Sequence, residues 1–224
     1  MIPENKNSSY YLSLMKHDLL KPIASSIEQF EKEYFQITEE RKRILNQIAV
    51  FIGQSKKLKG AEAVEFIFIC THNSRRSHIA QIWAQAAAVY YDVKNIRCYS
   101  GGTEATTFNT KAVKAMSAVG FKIAKKDNTE NPRYKVHISG SQSTLIAFSK
   151  KYNDPFNPAS GFTAVMVCSQ ADDNCPLVIG AEKRISLPFK DPKDFDGTPQ
   201  EEAKYHERVL EIGREICYAF SQVN

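Results

Sequence analysis

From Val64 onward the chain alternates two hydrophobic periods, and that alternation constrains its fold more than any other feature. V-E-F-I-F-I (64–69) is a short, nearly continuous apolar run of strand length, and S-H-I-A-Q-I-W-A-Q-A-A-A-V-Y-Y after it carries helical spacing. N-I-R-C-Y-S then reads as a second strand, and N-T-K-A-V-K-A-M-S-A-V as a second helix ending at Gly120. F-T-A-V-M-V-C is a buried strand and K-R-I-S-L-P a short one. Thr198, Pro199 and Glu201 open a last helix, to about Phe220, with a capping-box pattern. Such alternation implies an α/β fold, an open parallel sheet with helices on both faces.

Two stretches stand outside this pattern. Residues 1–60 read as a helical N-terminal extension without a strand. Ser25 or Ser26 caps a first helix over I-E-Q-F-E-K-E-Y-F, and Thr38, followed by Glu39 and Glu40, caps a second running to about Gln54. In that second helix Leu45, Ile48 and Ile52 form an apolar stripe, and S-K-K-L-K-G reads as stop and linker. An irregular region from Lys122 to Phe162 contains R-Y-K-V-H-I-S-G-S-Q-S-T-L-I-A-F, a β-hairpin turning at Gly140 and Ser141. The expected organisation is a 1–60 extension and a 61–224 α/β domain with an insertion at about 124–162. The extension packs on the core, caps the site or builds a homodimer; the sequence leaves these open.

Composition narrows the function classes. A net charge of +5 over 224 residues suits small anionic substrates, and without a long Lys/Arg run it argues against nucleic acid. No window reaches the ~18 apolar residues of a membrane span, and the N-terminus lacks a signal-like basic and apolar pair. Five cysteines (Cys70, Cys98, Cys168, Cys175, Cys217) are an odd number in a chain large enough to fold without staples. They read as intracellular thiols, which makes the cytoplasm the expected location.

The chemistry centres on C-T-H-N-S-R-R-S, Cys70 to Ser77. Sites in open parallel sheets lie beyond the carboxyl ends of strands, where Cys70 falls, and Ser77 begins the next helix. The backbone N–H groups of Thr71, His72, Asn73, Ser74 and Arg75 can curl into a nest facing that helix N-terminus. A tetrahedral oxyanion fits there, with Arg76 offering a bidentate guanidinium. The same field favours a nucleophilic thiolate at Cys70, and Ser77 or Ser74 can donate a hydroxyl to the sulfur. A buried structural cysteine is the plain alternative, outweighed by the strand before it and the donor-rich loop and helix after it.

That loop resembles the phosphate loop, C-x5-R-S, of the low-molecular-weight protein tyrosine phosphatase superfamily. It is more similar still to the loop of the thioredoxin-coupled arsenate reductase branch. S-G-G-T-E (100–104) and the N-T-K-A-V-K-A-M-S-A-V-G helix resemble that branch too. The likeness spans roughly 64–224, broken between about 124 and 162, and residues 1–60 have no counterpart in the minimal family. His72 stands where such loops commonly carry glycine, and Arg75 replaces a second loop cysteine. Arg75 either adds positive potential or points to solvent.

The resemblance also carries an acid and a redox pair. L-P-F-K-D-P-K-D-F-D offers Asp191, Asp194 and Asp196. Asp191 precedes Pro192 on a stiffened loop and matches the family's Asp-Pro general acid. Beside a thiolate and an oxyanion its carboxyl is expected to be pushed up. In V-C-S-Q-A-D-D-N-C-P, Cys168 ends a buried strand, and the polar segment up to Cys175 should bring Cys175 near the surface. Two core cysteines are the bland reading; the resemblance implies a redox pair, with Cys70, Cys168 and Cys175 passing a disulfide outward. It implies arsenate or phosphate as substrate and an external thiol reductant, thioredoxin in the family pattern, with no tightly bound cofactor. The glutamate some relatives use beside potassium is Gln81 here, so no metal is expected. Cys98 and Cys217 read as structural.

Two rivals remain. The same Cys70, Arg76 and Asp191 could hydrolyse phosphomonoesters through a phosphocysteine, with Phe108, Tyr134 or the insertion as a wall for a phenol. Alternatively the chain is a non-catalytic module that binds a partner through its N-terminal helices.

Overall fold

Strand β1 (Val64–Cys70) is buried at every residue except Glu65, as a strand covered on both faces must be. The structure, a computed structural model, describes residues 19–60, 62–140, 144–175 and 177–223. On one side β1 pairs in parallel with β2 (Ile96–Gly102), from Val64 opposite Ile96 to Cys70 opposite Gly102. On the other it pairs in parallel with β6 (Phe162–Met166), which pairs with β7 (Ala181–Ser186), giving the order β2-β1-β6-β7. The chain leaves β1 toward β2 and later returns on the opposite side at β6. The strand order therefore reverses at β1, and its carboxyl end opens into the crevice where open parallel sheets place their sites.

Helix α3 (Arg76–Tyr90) follows β1 and lies in the core, with Trp83 fully buried. The Trp83 indole donates to Val209 O at 3.0 Å on the last helix, α6 (Glu201–Ser221). It also meets Phe30 of α1 (Lys21–Glu33) edge-on at 5.2 Å. Of the three roles open to the extension, packing on the core is the one its described residues take: Ile23, Ile27, Phe30, Leu45, Ile48 and Ile52 join one hydrophobic cluster with the sheet.

Gly213 lets these helices approach. A Cβ there would stand 2.7 Å from the indole and 2.8 Å from the Phe30 ring. Removing a mid-helix glycine ordinarily gains up to about 1 kcal/mol. Overpacking two buried rings costs about 1–3 kcal/mol, so the clash should win. With a net loss of about 1 kcal/mol, Gly213→Ala is expected to lower Tm by roughly 2–4 °C in a thermal melt, at about 2–4 °C per kcal/mol for a chain of this size. A raised Tm would show that the rings yield freely.

Several boundaries differ from the sequence reading. Helix α1 begins at Lys21, not after Ser25 or Ser26, because Pro22 suits the first turn; Ser26 Oγ instead donates back to Pro22 O at 3.0 Å. Thr38 does cap α2 (Glu39–Lys59), accepting from Arg41 N at 3.2 Å. That helix runs through the supposed linker to Lys59, because Ile52 and Ser55 still face the core. Helix α6 starts at Glu201 without a Thr198 cap. The Glu201 carboxylate accepts from Gly197 N at 2.7 Å, and the Thr198 hydroxyl donates to Phe195 O.

The region that reads as irregular holds a three-stranded antiparallel sheet. The expected hairpin strands are β4 (Tyr134–His137) and β5 (Thr144–Ala147), and a lysine-rich edge strand, β3 (Lys122–Lys125), joins them. Of the expected turn, Ser141 lies outside the described residues. Helix α4 (Thr110–Ala118) is capped by Asn109, whose side chain accepts from Lys111 N and Ala112 N. No described helix is long and apolar enough to cross a membrane.

Candidate active site

The loop from Thr71 to Arg75 is held by its carbonyls. Thr71 O accepts from Glu104 N at 2.8 Å, His72 O from the Ser149 and Thr106 hydroxyls at 3.0 and 3.1 Å, and Ser74 O from Asn109 N at 2.9 Å. Its amides find no acceptor among the described residues, which leaves the donors for an anion. Gly102 makes this close packing feasible, since a Cβ there would come within 2.7 Å of Asn73 N and Thr71 O. The S-G-G-T-E segment thus serves as the wall the loop leans on.

Asn73 turns the loop with φ 44°, a left-handed conformation that asparagine tolerates. Its side chain is fully buried and oriented without ambiguity. Lys150 N, which can only donate, lies 2.9 Å from Oδ1, so Nδ2 donates to Ser77 Oγ at 2.8 Å. Ser77 Oγ thereby accepts from Asn73, and its own proton is free for Cys70 Sγ at 3.1 Å. The relay from Lys150 N therefore ends in a hydroxyl donor aimed at the sulfur. Ser74 plays no such part, because its hydroxyl donates to Thr107 O.

Arg75 is buried and Arg76 partly so, and both grip Asp191. Arg75 Nε lies 2.9 Å from Oδ1 and Arg76 Nη2 2.5 Å from Oδ2, while Arg76 Nη1 donates to Phe189 O at 2.9 Å. Arg75 therefore does not point to solvent. Burial pushes the Asp191 carboxyl up, but the Arg76 and Arg75 charges outweigh it and hold the group below the ordinary carboxylate range. The expectation of a raised value fails for this resting arrangement, where the carboxylate itself occupies the guanidinium groups. His72 sits at the rim, half-exposed and 3.6 Å from Glu104. Asp194 is exposed, and Asp196 accepts from Tyr205 OH at 2.9 Å.

Cys168 is fully buried just beyond the end of β6. Extending the register from Ile69 opposite Met166 sets Cys168 opposite Thr71, one residue past Cys70. Thr71 Oγ1 is 3.5 Å from its sulfur, which also caps α5 (Ser169–Asn174) by accepting from Ala171 N at 3.3 Å. Cys175 is half-exposed past the far end of α5. The polar segment between the two cysteines is thus a helix, which sets their Cα atoms roughly 10 Å apart at about 1.5 Å per residue. That exceeds the ~7 Å limit for a disulfide, so the pair can close only if α5 unwinds. Arg184 and Ser186 of β7 pin the helix through Asp172.

Other groups settle as neutral scaffolding. Burial pushes the thiols of Cys98 and Cys217 up. His78 is held well below its ordinary value by burial and by the Lys150 charge, and it stacks on Phe108 at 4.1 Å. Phe108 and Tyr134 are buried and cannot wall the cleft for a phenol. The cleft mouth is polar, with His72, Gln170, Lys190 and Lys193 around the two arginines. Gln81 is buried, with Nε2 donating to Cys98 O at 3.0 Å.

Sequence reasoning missed Lys150, whose amide orients Asn73. Its ammonium lies under the Phe148 ring at 4.6 Å, and burial, only partly countered by Asp154, pulls its pKa down to about 8. It also missed Ser149 and Arg41. None has a local signal, since each reaches the site only through the fold.

No model of a protein family matches the chain. It is 33% identical over 150 residues to the arsenate reductase of Bacillus subtilis (strain 168), covering 66% of this chain and 89% of that protein. The arsenate reductase of Shouchella clausii matches with the same identity and coverage. Arsenate reductase 2 of Staphylococcus haemolyticus is 34% identical over 125 residues, 56% of this chain and 76% of that one. Among solved structures, an arsenate reductase in the phosphate-binding state superposes with a TM-score of 0.44 and 15% identity, over 72% of this chain and 99% of that chain. A low-molecular-weight phosphotyrosine phosphatase from Vibrio cholerae O395 gives 0.48 and 13%, over 70% and 94%.

Proposed function

The chain belongs to the arsenate reductase family, and from that premise we propose that it reduces arsenate to arsenite through Cys70, Cys168 and Cys175. Arsenate enters the nest and takes Arg76 from Asp191. With its countercharge engaged and its burial unchanged, the Asp191 carboxyl rises and picks up a proton. The Cys70 thiolate attacks arsenic, an S–As bond forms, and the departing oxygen leaves as water with the Asp191 proton. The Cys168 thiolate then attacks the Cys70 sulfur. The S–As electron pair passes to arsenic, which leaves as arsenite, and a Cys70–Cys168 disulfide remains. Cys175 attacks Cys168, freeing Cys70, as α5 unwinds to let the pair close. An external dithiol of the thioredoxin type reduces the Cys168–Cys175 disulfide, in a reducing compartment such as the cytoplasm.

The observation that supports this reading best is the place of Cys168, just past the strand beside the nucleophile's own and across from Thr71. A phosphatase needs no second thiol there. The buried Phe108 and Tyr134 disfavour efficient phosphotyrosine hydrolysis, leaving phosphomonoester cleavage as a slow side reaction. The test is arsenate-dependent NADPH oxidation with thioredoxin and its reductase, with arsenite measured directly, beside hydrolysis of an aryl phosphate. Stoichiometric arsenite is expected. Aryl phosphate turnover without any arsenite would replace reductase by phosphatase.

A further inference from the structure

Arg41 stands in the first turn of α2, outside the α/β domain, yet its side chain ends beside the acid segment. Its Nε donates to Glu215 Oε2 of α6 at 2.7 Å, and its Nη2 to Pro188 O at 2.9 Å. Its guanidinium carbon lies 4.7 Å from the centre of the Phe189 ring. Pro188 and Phe189 lead directly into Asp191. Phe189 N donates to Val167 O at 3.1 Å, and Phe189 O takes Arg76 Nη1. The segment is therefore gripped by the thiol loop on one side and by the N-terminal extension on the other.

We propose that Arg41 is a positioning residue for Asp191, so that the extension forms part of the catalytic frame. The claim rests on the reading of Asp191 as the acid. The geometry favours arginine specifically. One planar group meets a carboxylate, a carbonyl and a ring face at once, and a lysine ammonium cannot serve all three from one point. Proton delivery to a departing oxygen tolerates little displacement, so a segment that drifts by an ångström loses rate rather than binding. Neither loop arginine can compensate, since Arg75 is engaged by the carboxylate and Arg76 by the carboxylate and Phe189 O, while Pro188 O accepts from Arg41.

The test uses the full chain with Arg41→Ala and Arg41→Lys, each alone and combined with Asp191→Asn. Two readouts are taken: arsenate kinetics and hydrogen exchange at the Phe189 amide. Arg41→Ala should lower kcat about tenfold with KM within about twofold, and cost under about twofold more once Asp191 is already asparagine. Exchange at Phe189 should rise about tenfold, and Arg41→Lys should restore only part of either loss. Equal kcat losses in both backgrounds, or unchanged kcat and exchange, would overturn the proposal. If Asp191→Asn keeps full kcat, the acid reading fails by itself, and exchange at Phe189 alone decides whether Arg41 holds the segment. If Arg41→Ala does not fold, Arg41→Lys decides the matter by the same readouts.

Discussion

Cys168→Ser should abolish arsenite release in even a single turnover, whereas Cys175→Ser should release one equivalent and then stop. The difference follows from the separate steps that the proposed route gives each thiol. Without Cys168 nothing within reach attacks the Cys70 sulfur, so the S–As adduct has no route to give up its electron pair. Without Cys175 that attack proceeds, and the Cys70–Cys168 disulfide accumulates. Intact-mass and peptide mapping after arsenate addition would show it. Both variants should hydrolyse an aryl phosphate within about twofold of the unmodified chain. In Cys168→Ser the introduced hydroxyl would still cap α5, and the Cys70–Ser77–Asn73 relay is untouched in either variant. Sustained turnover by either variant would refute the three-thiol route. Unwinding α5 should not limit it severely. Six residues are too few to hold a helix unaided, so the pins at Asp172 are the main contacts to release.

What the sequence disclosed, and what it hid, follows the range of the interactions. β1 announces itself because a strand buried on both faces must be apolar throughout. The thiol, nest and arginine are legible because they lie within eight consecutive residues. The three-stranded sheet was only half visible, since K-I-A-K owes its strand to pairing with Tyr134–His137 and not to its own pattern. S-Q-A-D-D-N reads as a polar loop, having no apolar stripe; it is helical because Cys168 caps it and Arg184 holds it. The resting state of Asp191 was hidden for the same reason. Its clamp joins positions 115 apart in the chain, and local reasoning supplied the thiolate and oxyanion but not two guanidinium groups already engaged.

That clamp makes a distinctive prediction for Asp191→Asn. Losing the acid should lower kcat for arsenate by about 10²–10⁴-fold. The same change should tighten binding of inorganic phosphate several-fold, measured by calorimetry near neutral pH. An uncharged amide holds Arg75 and Arg76 less firmly than a carboxylate does, and it no longer repels the incoming oxyanion. The pH dependence separates this from a general loosening of the site. In the free protein the Asp191 carboxyl titrates below the ordinary range, and on the proposed route it takes up a proton when the anion displaces it from Arg76, so the affinity gap between the two proteins should widen as pH rises through the range between those two states. The gap should close only below about pH 4, where the unmodified side chain takes up its proton and stops competing. The stabilisation from the clamp has the same sign: it is complete above the ordinary aspartate range and fades as pH falls through the depressed value. Weaker phosphate binding by Asp191→Asn would mean that the clamp pre-organises Arg76 for the anion instead of competing with it.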